Sequence, residues 1–472
     1  MPEWLTYLLA TLYGLSIVGV VVVIISENRN PLKSLPWLVV LLLAPIVGLV
    51  CYFFFGQNLS KRRAISRRTR KQLANYLEQN EQEDHPALPG RFLPLSHLLS
   101  HNGQAVPLYG TRYEIFTAGM QKMESLLRDI KQAKHHIHLQ YYIIDNDRAG
   151  AMLREALIER ARAGVEVRLL YDDVGSRGVR KKFFDELVAA GGEVHPFLHV
   201  QFPRFTSKVN YRNHRKMVII DGCVGYIGGM NIADRYLYGS ELGPWRDTHF
   251  RIEGGGVQGL QHAFLSDWYA TTRQRIEGTT YFLAQAISEE QNVIQLLSGG
   301  PFGKWRVLLQ AVSMAVMRAR LRIWIETPYF LPSETLNNAL QTAALAGVDV
   351  RLILPLRSDS KAVDLAIHSY IDDMMRAGVK IYFYMAGFLH SKLLIIDDEL
   401  ALFGSSNMDF RSFEHNFEIN AFAYDRRLVN RLETIMEQDL TRCHHLTHSE
   451  WFNRSPIRRF AESVMRLFSP LL

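Results

Sequence analysis

The pattern of hydrophobic and polar positions divides the chain into an apolar N-terminal part and a longer part with alternating periodicities. Residues 4–25 are free of charge, and residues 35–56 form a second apolar run, which Pro36 and Pro45 interrupt. Each run has about 20 residues, enough to cross a hydrocarbon core of roughly 30 Å. The pattern therefore predicts two transmembrane helices in a membrane anchor over residues 1–60. The alternative is a buried hairpin of a globular domain.

From about residue 106, helical periodicity alternates with short runs that are rich in β-branched and aromatic residues. A helical run precedes a strand-like run in four places, which are residues 115–144, 151–173, 311–330 and 336–355. The alternation predicts an α/β fold, and the recurrence predicts a duplicated unit. We expect the first repeat to span residues 106–278 and the second to span residues 279–450.

The two repeats align residue by residue. AGVEVRLL at 163–170 matches AGVDVRLI at 346–353, and the register continues into two segments of the pattern HxKxxxxD, HRKMVIID and HSKLLIID. The aligned polar residues are His214, Lys216 and Asp221 in the first segment and His390, Lys392 and Asp397 in the second. In both repeats glycine follows the histidine by 14 positions and asparagine by 17, which gives Gly228, Gly404, Asn231 and Asn407. One such motif would be weak evidence, but two copies in register are not a coincidence.

Charge adds a prediction of topology. The formal net charge of +7 suits nucleic acid, an anionic membrane or phosphate substrates, and does not choose among them. Its distribution is informative, because seven Lys and Arg side chains fall within residues 61–71, against Arg29 and Lys33 in the loop between the apolar runs. The positive-inside rule therefore predicts that residue 61 onward faces the cytoplasm, within a basic linker over residues 61–105. The same cations either bind anionic headgroups or only set the topology.

The paired motifs resemble those of the phospholipase D superfamily, in which each HKD motif is followed by Gly-Gly or Gly-Ser and an asparagine, here GGMN and GSSN. The resemblance covers residues 106–445. The segments LQYYII, TPYFLP, SGGP and LFSPLL, and the N-terminal NRNP, are similar to bacterial-type cardiolipin synthases in particular. The resemblance implies that two repeats pack about a pseudo-twofold axis and that the protein is a multi-pass protein of the cell membrane. It also implies transfer of a phosphatidyl group between two phosphatidylglycerol molecules, giving cardiolipin and glycerol through a phosphohistidine.

The residue types fit this chemistry. Alternation in KMVIID and KLLIID predicts strands, so His214 and Lys216 share one face, as do His390 and Lys392. One histidine attacks phosphorus while the other protonates the departing alcohol, and the resemblance favours His214 as the nucleophile. Charge on the non-bridging oxygens would be stabilised by both lysines and by Asn231 and Asn407. Since these cations replace the charge of a metal, we expect neither a metal nor a cofactor.

Further residues have structural alternatives. A working imidazole needs its second nitrogen held by an acceptor, and the resemblance offers Asp247, 33 positions after His214, and Glu418, 28 positions after His390. The motif carboxylates Asp221 and Asp397 lie an odd number of positions from their histidines, so we expect them to face away and act structurally. Four other histidines are expected to be structural, namely His135, His136, His138 and His195. The three cysteines, which lack a CxxC pair, suggest neither a disulfide framework nor a zinc site.

Two segments and the overall function keep alternatives open. The aromatic pairs Tyr141, Tyr142 and Tyr329, Phe330 line an acyl groove or belong to the core. The tail at 451–472 has apolar residues at helical spacing beside arginines, and so lies on a membrane surface or docks on its own domain. The expected partners are phosphatidylglycerol and anionic membrane lipids, with no nucleic acid. The rival functions are a membrane-bound hydrolytic phospholipase D or nuclease, and a non-catalytic lipid-binding scaffold.

Overall fold

The computed structural model describes residues 2–26, 31–52, 88–179, 181–197, 210–302 and 305–470. These residues fall into two compact units. The N-terminal unit lies within residues 1–61 and includes residues 210–211, and the larger unit comprises the described residues from 88 to 197 and from 212 to 470.

The N-terminal unit contains one long apolar helix and a broken one. Helix α1 (Glu3–Ser26) has 24 residues and a mean hydropathy of 2.7, and among the described residues it is the one helix long and apolar enough to cross a membrane. The second apolar run forms α2 (Pro31–Leu43) and α3 (Pro45–Cys51), separated at Ala44. Pro45 disfavours a helical conformation at the residue before it, which explains the break. The prediction of a second transmembrane helix is therefore not confirmed. Arg29 and the basic cluster at 61–71 lie outside the described residues.

The first repeat is built on a seven-stranded sheet. Its strands and those beside it are β1 (Leu108–Tyr109), β2 (Thr111–Phe116), β3 (His136–Tyr141), β4 (Glu166–Asp172), β5 (Glu193–Phe197), β6 (Met217–Ile220), β7 (Val224–Gly228), β8 (Trp245–Arg246) and β9 (His249–Gly254). The helices of this part are α4 (Leu93–Gly103), α5 (Gly119–Gln132), α6 (Arg148–Arg162), α7 (Asp185–Ala189), α8 (Asp234–Tyr238) and α9 (Gly256–Thr272). The sheet order is β2-β9-β7-β6-β3-β4-β5, with β3, β4 and β5 parallel to one another and the other pairs antiparallel.

The second repeat is built on a nine-stranded sheet. Its strands and those beside it are β10 (Val293–Gly299), β11 (Arg322–Glu326), β12 (Phe330–Leu331), β13 (Asp349–Pro355), β14 (Lys380–Tyr384), β15 (Phe388–Leu389), β16 (Leu393–Ile396), β17 (Leu400–Gly404), β18 (Met408–Asp409), β19 (Glu418–Tyr424) and β20 (Cys443–His445). The helices are α10 (Val307–Met317), α11 (Glu334–Leu345), α12 (Lys361–Arg376), α13 (Phe410–Glu414), α14 (Arg426–Leu440), α15 (His448–Phe452) and α16 (Pro456–Arg466). The sheet order is β1-β10-β19-β17-β16-β11-β13-β14-β20.

Seven neighbouring strands of the second sheet have the same order and directions as the seven strands of the first sheet. They are β10, β19, β17, β16, β11, β13 and β14. The α/β fold and the duplication are thus confirmed. The second sheet gains an edge strand at each side, β20 and also β1, which precedes the first sheet in sequence. One predicted boundary was wrong: residues 115–116 complete β2, where Ile115 pairs with Phe250, and the helix starts at Gly119.

The two repeats share one hydrophobic core. Phe250 of β9 and Phe403 of β17 stack with ring centroids 3.8 Å apart, and Ile219 of β6 and Ile395 of β16 are fully buried in the same cluster. Helices α9 and α14 pack in this shared core. Two further clusters form the cores on the outer faces of the sheets, where α5 and α6 pack on the first sheet and α10, α11 and α12 pack on the second.

Candidate active site

Each histidine segment is held by backbone pairing with the other repeat. His214 and His390 precede strands β6 and β16 rather than lying on them. The His214 N–H donates to the Phe417 carbonyl at 2.9 Å, and the His390 N–H donates to the Arg246 carbonyl at 2.7 Å. Strands β8 and β15 pair in parallel beside the second of these contacts. The two segments are therefore fixed by matching contacts that run between the repeats.

The orienting carboxylates are exchanged between the repeats. His214 Nδ1 lies 3.0 and 3.1 Å from the two oxygens of Glu418, and His390 Nδ1 lies 2.6 Å from Asp247 Oδ2. Sequence spacing had counted each carboxylate from the histidine of its own repeat, whereas the structure pairs it with the other one. The reason is the backbone pairing, because Phe417 and Arg246 immediately precede the two carboxylates.

These contacts set the tautomers and charges of the imidazoles. With Nδ1–H donated to a carboxylate, the Nε2 lone pair of each ring is left for chemistry. Burial lowers the pKa of His390 to about 4, and Lys392 adds to this effect while Asp247 opposes it. Burial likewise lowers the pKa of His214, against the opposing charge of Glu418. Both rings are therefore neutral near pH 7.

The two carboxylates are buried anions. Burial alone would raise the pKa of Glu418, but His214 and Lys216 outweigh it and the pKa is lowered. Ser405 donates its hydroxyl to Glu418 as well. Burial would also raise the pKa of Asp247, but Lys392 and then His390 outweigh this effect, so the pKa of Asp247 is lowered as well. Both groups can stabilise positive charge on their histidines.

Both motif lysines are buried beside the histidines. Lys216 Nζ donates to the His214 carbonyl and Lys392 Nζ to the His390 carbonyl, each at 2.5 Å. Burial lowers the pKa of Lys392 to about 8 and that of Lys216 well below its usual value. Glu418 opposes this effect at Lys216 and Asp247 opposes it at Lys392, but burial outweighs both, so an anionic ligand beside the lysines would stabilise their charged forms.

Both histidines open into one cavity of about 310 Å³. Asn231 and Asn407, which the sequence predicts to bind the phosphate, both line this cavity. Asn231 is partly engaged, since its Nδ2 donates to the Tyr236 hydroxyl at 2.5 Å. Within the described part of the chain, Asn407 Oδ1 is buried without a hydrogen-bond partner. The cavity thus joins the predicted histidines and asparagines in one place.

Aromatic side chains frame the two histidines. Tyr142 meets the ring of His214 at 4.8 Å between centroids, and Tyr236 and Trp245 meet His390 at 5.6 and 5.2 Å. Of the predicted aromatic pairs, Tyr142 and Tyr329 line the cavity. Their neighbours Tyr141 and Phe330 are fully buried in the cores, because successive residues of an extended segment point to opposite sides.

Sequence reasoning missed the charged lining of the cavity. Arg212 and Arg411 lie on the side of Tyr142, where their charges oppose the burial that raises the pKa of this tyrosine. Asp359 also lines the cavity and accepts a hydrogen bond from Tyr329 at 2.8 Å. A signal for one of these residues was present, since arginine follows the motif asparagine by four positions in both repeats, as Arg235 and Arg411.

The structure does not bring the motif aspartates into the cavity. Asp221 and Asp397 lie in turns at φ values of 52° and 53°. Asp221 accepts the backbone N–H groups of residues 134–136, and Asp397 accepts those of residues 320–322 and also pairs with Arg91. Each one fastens the start of the neighbouring strand, β3 or β11, to the motif strand.

Other candidate ligands lie outside the cavity. His136 and His138 contact Gln261, at 3.3 and 2.9 Å, and His135 contacts His136. The three cysteines are free. Within the described ranges, no group of three or more His, Cys, Asp or Glu side chains is arranged to hold a metal ion.

Comparison with solved structures gives the class of fold. The crystal structure of phosphatidylserine synthase from Haemophilus influenzae Rd KW20 matches 80% of this chain and 98% of its own, with a TM-score of 0.61 at 14% identity. The family model described as "Cardiolipin synthase, PLD-like domain" matches residues 126–242 and 313–440, and the model described as "Phospholipase_D-nuclease N-terminal" matches residues 14–57. The chain is therefore a phospholipase D-like protein with two repeats.

Curated relatives are similar over nearly the whole chain. Cardiolipin synthase 2 of Bacillus anthracis is 41% identical over 95% of this chain and 89% of its own length. Cardiolipin synthase of Geobacillus kaustophilus is 41% identical over 98% and 94%, and the major cardiolipin synthase of Bacillus subtilis is 38% identical over 98% and 99%. The chain belongs to the cardiolipin synthase family of phospholipase D-like proteins.

Proposed function

We propose that the protein is a cardiolipin synthase that transfers a phosphatidyl group from one phosphatidylglycerol to a second, with release of glycerol. The observation that carries the proposal is the pair of buried histidines in one cavity, each with Nδ1 held by a carboxylate. Such a pair provides a nucleophile and an acid-base group at one phosphorus atom. The names of the relatives supply the substrate class.

The first half of the reaction forms a covalent intermediate. His214 Nε2 attacks phosphorus and forms a P–N bond, while the P–O bond to the glycerol headgroup breaks. His390 donates a proton to the departing glycerol oxygen. Glu418 stabilises the cationic phosphohistidine, and the assignment of His214 as nucleophile rests on the resemblance of the motifs. Because burial lowers the pKa of His390 to about 4, this proton donation requires the anionic phosphodiester of the donor lipid to raise it.

The second half returns the enzyme to its starting state. His390 takes the proton from a headgroup hydroxyl of the second phosphatidylglycerol, this oxygen attacks phosphorus, and the P–N bond breaks. Lys216 and Lys392 are proposed to balance charge on the non-bridging oxygens in both halves, with Asn231 and Asn407 as further donors. The exchange converts one phosphodiester into another and needs no nucleotide.

The proposed architecture includes a pseudo-twofold axis between the repeats and two membrane spans with the catalytic part in the cytoplasm. The exchange of carboxylates is what a twofold axis would generate, which supports the first element. The second rests on the apolar runs and on the basic cluster at 61–71. A reporter fused after residue 75 should read as cytoplasmic. Labelling of residues beyond 75 from outside sealed cells would contradict this topology.

The function is tested with phosphatidylglycerol vesicles in the presence of a chelator. The enzyme should release cardiolipin and glycerol in equal amounts, and His214→Ala and His390→Ala should each lower the rate by at least about 10² to 10⁴. His195→Ala is the matched control, because His195 lies outside the cavity against Trp268, and it should retain activity. Phosphatidic acid as the main product would instead indicate a hydrolytic phospholipase D.

The intermediate gives a second readout. A slow His390 variant should accumulate phosphatidyl-enzyme on His214, which mass spectrometry of peptides locates. An adduct found only on His390 would reverse the two roles. Vesicles that also contain phosphatidylethanolamine test the acceptor, since cardiolipin formed only in their presence would change the second substrate.

A further inference from the structure

The C-terminal helix α16 is docked on the enzyme in an unusual orientation. Two of its charged residues, Glu462 and Arg466, lie on the side that faces the protein. Glu462 is 2% exposed and pairs with Arg454 at 3.0 Å and with Arg458 at 3.2 Å. Arg466 pairs with Asp373 of α12 at 2.8 Å, and its guanidinium lies over the Tyr370 ring. The contacts of Arg466 with α12 fix the rotation of the helix about its axis.

The opposite face of α16 presents an apolar stripe to the outside. The stripe consists of Ile457, Phe460, Val464 and Leu467, which are 82%, 72%, 37% and 79% exposed. Their spacing of three and four residues puts them along one side of the helix. A helix on the surface of a soluble domain has the reverse arrangement, with its apolar side inward. Four large apolar side chains in a row are therefore a contact surface without a protein partner in this chain's described part.

We infer that the apolar stripe of α16 inserts into the surface of an anionic lipid bilayer while the helix stays docked on α12. Charge complementarity favours this occupant over a second copy of the chain. The one acidic residue of the helix, Glu462, is buried in ion pairs, and Arg459 is exposed beside the stripe together with half of Arg458. A basic border around an exposed apolar face suits anionic headgroups and the upper acyl region.

The position of the stripe links it to the cavity. Helix α12 contributes Val363 to the cavity wall, and α16 contacts the same helix at His368 and Asp373. At 1.5 Å per residue, these contacts lie about 8 to 15 Å along α12 from the cavity. A bilayer that receives the stripe would thus lie beside the cavity. The inference rests on the proposed function, since it assumes that the substrates are drawn from that bilayer.

The direct test uses a fluorescent probe and does not depend on activity. In the full chain with Cys51, Cys223 and Cys443 replaced by Ser, an environment-sensitive dye is attached at Phe460→Cys or at Leu345→Cys. Leu345 is a matched control, because it is 73% exposed, is the last residue of α11 and does not line the cavity. The protein is reconstituted in phosphatidylglycerol vesicles with or without acyl-brominated lipid.

Bromine should quench more than half of the emission at position 460 and less than a tenth at position 345. Equal, weak quenching at both positions would overturn the inference. The emission of the dye at position 460 could instead shift with the density of protein in the vesicles and stay unquenched by bromine. That result would overturn the inference in favour of a second copy of the chain. If the dye at position 460 reported an apolar environment at every protein density but was not quenched by bromine, the inference would be overturned in favour of another segment of the chain.

A kinetic test separates surface binding from chemistry. Phe460→Ser combined with Leu467→Ser should raise the apparent KM for phosphatidylglycerol in mixed micelles about 5- to 10-fold with kcat unchanged. The control pair Leu321→Ser and Leu345→Ser should change neither. An unchanged KM in the stripe variant would contradict the inference. If no cardiolipin forms even in the parent protein, the proposed function fails, while the quenching result still decides the bilayer contact.

Discussion

Replacement of Glu418 by Gln tests the exchange of carboxylates directly. Glutamine keeps the size of the side chain and removes the charge that faces His214 Nδ1 at 3.0 Å. An imidazolium and a carboxylate with charge centres about 4 Å apart interact by about 4 kcal/mol at an effective dielectric constant of about 20. That interaction is present only when His214 carries positive charge, as it would in the proposed phosphohistidine. We therefore expect kcat to fall about 10³-fold.

The assay combines rate with the titration of each histidine by NMR. Because the charge of Glu418 raises the pKa of His214 against the effect of burial, Glu418→Gln should lower this pKa further and leave His390 unchanged. Glu433→Gln, which removes a carboxylate that pairs with Arg322 outside the cavity, is the control and should affect neither histidine. The reasoning would be refuted if Glu418→Gln shifted His390 instead, or if kcat fell less than about 10-fold.

Three further predictions concern the partner carboxylate, the motif aspartate and pH. Asp247→Asn should lower kcat about 10² to 10⁴-fold and shift the NMR titration of His390 only; a shift of His214 would contradict the pairing. Asp397→Ala should lower the free energy of unfolding by about 3 to 5 kcal/mol in chemical denaturation with kcat per folded molecule unchanged; a large loss of kcat would assign this aspartate to catalysis. Burial and, to a lesser extent, the charge of Arg458 lower the pKa of His368 to about 4 in the folded protein. As the pH falls from about 6.5 towards 4, the unfolded chain therefore binds a proton at His368 before the folded protein does, and the free energy of unfolding decreases. His368→Asn should reduce that dependence by up to about 1.4 kcal/mol per pH unit, and an unchanged slope in thermal unfolding would refute the assignment.

Duplication made the residues of the site predictable, and contacts between the repeats limited what could be predicted about their pairing. His214 and His390 were found because the same spacing occurs twice, and both lie in the cavity. Glu418 and Asp247 were also predicted as orienting residues, but each was assigned to the histidine of its own repeat instead of the histidine of the other repeat. Spacing along a chain carries no information on backbone pairing between two domains, which decides the partner here.

The remaining differences also have physical causes. Ile115 continued the helical periodicity by chance, whereas β-pairing with Phe250 places it in a strand. The length of the second apolar run predicted a span, but Pro45 divides it into two helices. Composition identified the tail as amphipathic without giving its rotation. That rotation follows from the contacts of Arg458 with His368 and of Arg466 with Asp373 of α12, which only the folded chain shows.

The exchange of carboxylates also determines when the enzyme can become active during its synthesis. His214 and its partner Glu418 are 204 positions apart, so the histidine emerges from the ribosome long before its carboxylate does. At about 5 to 20 residues per second, the interval is about 10 to 40 s. The N-terminal apolar helix is made before that interval and the first repeat is completed within it, yet the first histidine has no acceptor for Nδ1 until Glu418 is made. In the proposed mechanism, the nascent chain is therefore unable to form a phosphohistidine on His214 until translation is almost complete.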